Sequence, residues 1–148
     1  MKVFEDYFSE LQADMVSIAL EYVDNEADYI YIYCSYEPNM YYFDLFYKIN
    51  NKIVKKHNLN MATLIEKKYD TSDERQEIVL DIGLKNLKSI KEVCKKHERP
   101  MPTEMKLIYD VKANSLEAKY QYDLLYSDKE ELLPMDIFEQ WFEEVSQQ

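Results

Sequence analysis

The chain has 148 residues, with 18 Lys and Arg against 29 Asp and Glu, a net charge of −11, and one glycine. That length suits a single domain burying roughly 70% of the surface of its unfolded chain. The acidity argues against nucleic acid or an anionic membrane as a direct partner, because both attract clustered Lys and Arg; a lone glycine excludes a Gly-rich loop that cradles phosphates against bare backbone.

Val3 to Val23 predicts a helix, since Phe4, Phe8, Leu11, Met15, Ile18 and Tyr22 recur at three and four. Glu10, Asp14, Ser17 and Glu21 repeat at the same spacing beside that stripe, as a solvated face or a docking edge would. Tyr29 to Tyr36 alternates Ile30, Ile32 and Cys34 against Tyr29, Tyr31 and Tyr33, the period of a strand. Glu37-Pro38-Asn39 turns it into a second strand, Tyr41 to Ile49, with Phe43, Leu45, Tyr47 and Ile49 opposite Tyr42, Asp44, Phe46 and Lys48. Asn50-Asn51 is a two-residue hairpin turn, because Asn tolerates positive φ, and Lys52 to His57 returns as a third strand.

Asn58 to Asp70 reads as a loop or one helical turn with an apolar patch from Met61 to Ile65. Thr71 and Glu74 have capping-box spacing, and the helix they open runs to about Lys96, with Val79, Ile82, Gly83, Ile90, Val93 and Cys94 inward. Arg99-Pro100-Met101-Pro102 ends it. A second hairpin follows: Thr103 to Lys112 places Met105, Leu107, Tyr109 and Val111 inward with Glu104, Lys106 and Asp110 outward. After Ala113-Asn114-Ser115, Leu116 to Leu124 answers with Leu116, Ala118, Tyr120, Tyr122 and Leu124. A last helix starts near Pro134 and groups Ile137, Phe138, Trp141, Phe142 and Val145 on one face. The order is α-β-β-β-α-β-β-α over residues 1–148: an α+β domain with an antiparallel five-stranded sheet and packed helices.

Little of this carries chemistry. His57 and His97 lie in separate elements without metal-ligand spacing, and Cys34 and Cys94 occupy apolar positions that suit buried, reduced thiols. No nucleophile elbow or calcium loop occurs, so no catalytic residue, metal or cofactor is assigned. The N-terminal residues turn acidic where a signal peptide would need an apolar core, and no run reaches the ~20 apolar residues of a membrane span, so a cytoplasmic protein is expected. Fourteen tyrosines remain to be explained. Those opposite the core face of the first two strands are either an exposed interface or a second core under another helix, two readings of equal weight.

Tyr29-Ile30-Tyr31-Ile32-Tyr33 after an acidic helix, the Phe43 to Lys48 strand, and Leu107-Ile108-Tyr109-Asp110 leading to Tyr120-Gln121-Tyr122-Asp123-Leu124 recur in one known setting. With the acidic segment and Trp141 helix that follow, the chain resembles the YezG-type immunity proteins, antitoxins to secreted LXG-type toxins, over nearly its whole length. It differs in lacking a Trp within 23–28 and in having Pro100-Met101-Pro102 where a Pro-Trp pair is expected. The resemblance implies a cytosolic, non-catalytic protein that binds and neutralises a toxin's C-terminal effector domain, often a nuclease. An acidic blocker would be steered toward the cationic cleft of such an enzyme. The alternative from the residues alone is a small ligand-binding or enzymatic domain using the tyrosine face as a pocket; a plain adaptor is a third.

Charge is concentrated at −7 up to Asp28 and −6 from Ser127. If the first and last helices lie side by side, Glu10, Asp14 and Glu21 with Asp123, Asp128 and Glu143 form the acidic rim of a partner-binding surface, with Tyr120 and Tyr122 as its anchors.

Overall fold

Strand β1, Tyr29–Glu37, is the middle of the sheet because both of its faces are apolar or aromatic. In the computed structural model, which describes residues 2–38, 40–63 and 68–148, it is preceded by helix α1, Phe4–Tyr22. It is followed by β2, Met40–Ile49, β3, Lys52–Lys55, a short 3-10 helix, Lys56–Met61, and α2, Asp73–Lys96. The hairpin of β4, Glu104–Asp110, and β5, Ser115–Gln121, then leads to α3, Pro134–Ser146. All strand pairs are antiparallel, in the order β3-β2-β1-β4-β5, so the α+β class and the element order hold.

Local chemistry sets the turns. Asn50 and Asn51 both take positive φ, 50° and 66°, as a two-residue hairpin turn between right-twisted strands requires. Asn114, at φ 51°, does the same between β4 and β5. The cap of α2 falls one residue later than expected: Ser72 Oγ accepts from the Arg75 amide at 3.3 Å, while Thr71 offers only its carbonyl, to Gln76. β3 stops at Lys55 because the chain enters the 3-10 helix, and β5 stops at Gln121, leaving Tyr122 and Leu124 beyond the sheet. Asn39 and residues 64–67, which include part of the expected Met61 to Ile65 patch, lie outside the described residues.

Period two splits the core into two layers. On one face Ile30, Ile32, Cys34, Leu45, Tyr47 and Leu107 pack under Met15, Ala19 and Tyr22 of α1 and Val79, Leu87 and Ile90 of α2. Its buried tyrosines are satisfied, Tyr47 donating to the Ala19 carbonyl at 2.7 Å and Tyr22 to that of Lys56 at 2.9 Å. The inward stripe of α2 is rotated from the expected one, burying Asn86 and Leu87 and leaving Ile82 and Val93 half-covered, because α1 flanks it. Cys34 and Cys94 are free and buried, as read from sequence, and burial pushes both thiols up.

On the other face α3 covers the tyrosines. Tyr31, Tyr33 and Phe46 are buried against Phe138, Trp141 and Val145, which decides between the two readings in favour of a second core. Glu104, expected outward, is buried on this side and accepts the Tyr33 hydroxyl at 2.9 Å. The first and last helices thus lie on opposite faces of the sheet, and the merged acidic rim is not built. The reason is that both faces of β1 and β2 are too apolar to leave bare, so α1 and α2 take one and α3 the other.

At Gly83 α2 packs directly on the Phe43 ring of β2. A Cβ there would stand 2.2 Å from Cε1 of the buried Phe43 ring. Gly83→Ala gains about 1 kcal/mol of helix propensity but forces an overpacked contact worth about 1–3 kcal/mol or more. The net expectation is a destabilised protein, read as a lower urea midpoint; a midpoint that rises would show that Phe43 swings aside freely.

Candidate partner-binding surface

The six carboxylates and two tyrosines expected to form one surface are scattered over both faces of the sheet. Glu10 is exposed and pairs with Lys2 at 3.0 Å. Asp14 accepts from Asn86 of α2 at 2.7 Å and, with Glu21, lines the seam between α1 and α2. Tyr120 meets a different flank of α1, its hydroxyl oxygen accepting from Gln12 Nε2 at 2.9 Å and its ring 5.9 Å from Phe8. Glu143 is exposed on α3, across the sheet. Tyr122, Asp123 and Asp128 do share one element, the segment from 122 to 133 that joins β5 to α3.

That segment is held by Glu37, which the sequence reading left as a turn residue. By strand alternation Ser35 and Glu37 continue the tyrosine face of β1, and two polar side chains there mark the end of the sheet that α3 does not fill. The Glu37 side chain is fully buried. One carboxylate oxygen accepts the Leu125 amide at 2.8 Å and the Tyr126 amide at 3.2 Å, and the other accepts the Ser127 amide at 2.8 Å. Burial pushes this carboxyl up, but the hydrogen bonds from Ser127, Leu125 and Tyr126 outweigh it and leave it below its ordinary value. Ser35 Oγ donates to the buried Tyr126 hydroxyl at 2.9 Å, and Thr103 Oγ1 donates to the Asp123 carbonyl at 2.6 Å. Asp136 closes the far end, accepting the Leu133 amide at 2.8 Å at the start of α3.

A pinned backbone presents its side chains outward in fixed positions. Tyr122, Leu124, Leu133 and, in the first turn of α3, Met135 are 55, 44, 51 and 50% exposed. Among them stand Asp123, Asp128, Glu130 and Glu131, with Lys129 as the one cation. Exposed large apolar side chains ringed by one sign of charge on a preformed segment are what a protein interface needs: anchors to desolvate and a rim to steer. Leu124, Leu133 and Met135 were missed from sequence because Leu124 was assigned to a strand face and the other two flank a helix start.

Beside α3 the tyrosine face opens in a cleft of about 440 Å³, floored by Tyr29, Tyr31, Ile108 and Trp141 and edged by Lys48, Lys106 and Lys119. Lys106 Nζ sits 5.4 Å from the centre of the Trp141 ring and 3.8 Å from Glu104. His97 ends α2 and packs between Phe4 and Tyr7, each ring centre 5.8 Å away. Among the described residues no three His, Cys, Asp or Glu side chains gather closely enough to hold a metal ion, and no helix is long and apolar enough to cross a membrane. No protein-family model matches the chain, and no curated protein matches it.

Proposed function

We propose that this chain is an immunity protein of the YezG type, which binds the C-terminal effector domain of a secreted toxin in the cytoplasm and blocks it. A nuclease is the effector class that best suits its charge. The observation that carries the reading is the 122–133 segment: exposed apolar anchors among four carboxylates, on a backbone fixed by a buried glutamate. The net charge of −11 supports it, since a nuclease cleft built for phosphate is cationic and draws an acidic protein from a distance.

Rim charges act mainly on association, and anchors on dissociation. Reversing Asp123, Asp128 and Glu130 to Lys is expected to slow association with the cognate effector domain by roughly tenfold at low salt and to flatten its salt dependence. The melting temperature should not move, since all three side chains are exposed. Glu10, Asp14 and Glu21 reversed to Lys serve as the comparison, with a smaller effect because all three lie on α1 and outside the 122–133 segment. Equal rates for wild type and the loop variant would remove the segment from the interface. Failure of the intact protein to protect cells expressing the effector domain would remove the function.

The cleft beside α3 favours a second reading, a ligand-binding domain, because aromatic rings and three lysines meet there. A small molecule retained at one per chain through purification, and lost in Lys106→Ala, would establish it.

A further inference from the structure

The two edges of the sheet are treated differently by the chain. β3 is four residues long, carries Lys52 and Lys55, and runs at once into the 3-10 helix. Short, lysine-bearing edges resist pairing with another strand. β5 is nearly twice as long and carries a single lysine, Lys119, with Glu117 two residues before it. Its seven residues contain no proline or glycine, its register with β4 is unbroken from Gln121 opposite Glu104 to Ser115 opposite Asp110, and every residue but Ala118 is exposed.

Its sequence, Ser-Leu-Glu-Ala-Lys-Tyr-Gln, is complementary to itself when run antiparallel about Ala118. Glu117 then stands opposite Lys119 of the second copy and Lys119 opposite Glu117, giving two equivalent charge pairs on the α3 side of the sheet. Leu116 stands opposite Tyr120 twice on the α1 side, Ser115 opposite Gln121, and the small Ala118 meets itself on the two-fold axis. Cross-strand pairs of opposite charge and of aromatic with aliphatic side chains are the favourable ones in an antiparallel ladder. Within one chain, by contrast, Lys119 sits directly opposite Lys106, a like-charge pair. Among the described residues neither Glu117 nor Lys119 makes an ion pair, so both charges are available.

We propose that β5 pairs with β5 of a second copy in this register, joining two five-stranded sheets into one of ten strands across a two-fold axis. The contact is isologous, with the same patch used on both copies, and it closes after two. It uses β5 and not the 122–133 segment that follows it, so a dimer carries two such segments and the proposal does not depend on the toxin.

Sedimentation over a range of concentrations tests it on the full chain, using Glu117→Lys, Lys119→Glu and the double swap Glu117→Lys/Lys119→Glu. Wild type is expected to dimerise. Each single variant places like charges opposite each other twice and should weaken the dimer roughly tenfold, whereas the double swap restores opposite charges and should return to wild-type strength. Unchanged melting of the monomeric fraction shows that the fold is intact. A wild type that is monomeric at every concentration overturns the proposal. So does a dimer indifferent to the single variants, or a double swap no stronger than they are.

Discussion

Trp141→Ala is expected to lower the unfolding free energy by about 3–5 kcal/mol, the cost of removing a large buried aromatic. Trp141 is 6% exposed, and its ring lies 5.1 Å from Phe46, 5.8 Å from Tyr31 and 6.2 Å from Tyr33, centre to centre. α3 buries only Pro134, Phe138, Trp141 and Val145, so this ring is much of what the helix has to hold it. The loss should therefore be regional as well as global. Amide exchange in α3 is expected to speed up more than in α2, and a dye that binds apolar surface should report the uncovered tyrosine face. A urea titration showing a change under about 1 kcal/mol would mean that the ring moves to solvent at little cost, contrary to its burial.

Glu37→Ala is expected to cost about 3 kcal/mol, because three amides lose a charged acceptor and each buried donor left unpaired costs about 1–3 kcal/mol. Opening of the segment to water limits the sum. The result to look for is a protein that keeps its sheet but loses protection at Leu125, Tyr126 and Ser127. Acid provides an independent check. The folded carboxyl lies below its ordinary value of 4.5, so the stability it confers is fully present above that pH and is lost as pH falls through the lower, folded value. Glu37→Gln, which stays neutral, should be less stable than wild type at neutral pH and should lose less on acidification across that window. Parallel acid curves for the two proteins would show that Glu37 is not the group responsible.

The strands and helices were legible because each carries a strong period: two in β1 and β2, three and four in α1 and α3. The antiparallel sheet followed from the Asn50-Asn51 and Asn114 turns. What the sequence could not say was which face each helix takes. Tyr31 and Tyr33 look the same on paper whether they await a partner protein or Trp141, since tyrosine suits both an interface and a core with a hydroxyl acceptor nearby. The acidic residues misled for a related reason. Charge summed along the chain ignores that Asp14 is taken by Asn86 and Glu10 by Lys2, and that a sheet separates α1 from Glu143. Glu37 was invisible because its partners are backbone amides some 90 residues away, which leave no pattern in side-chain type.

The strand order has a consequence for how the chain reaches this state. β1, β2 and β3 pair with near neighbours, as do β4 and β5, so each group can close through short loops. The one seam that joins them is β1 against β4, where Tyr29 meets Asp110 and Ser35 meets Glu104. Closing it means bringing together residues with the whole of α2 between them, and the entropy of that large loop is lost before the seam returns any contact. Joining the two strand groups is thus expected to be the slow step. Substitutions along the seam, such as at Ile32 or Leu107, are expected to act on the folding rate, and those in the outer strands on unfolding.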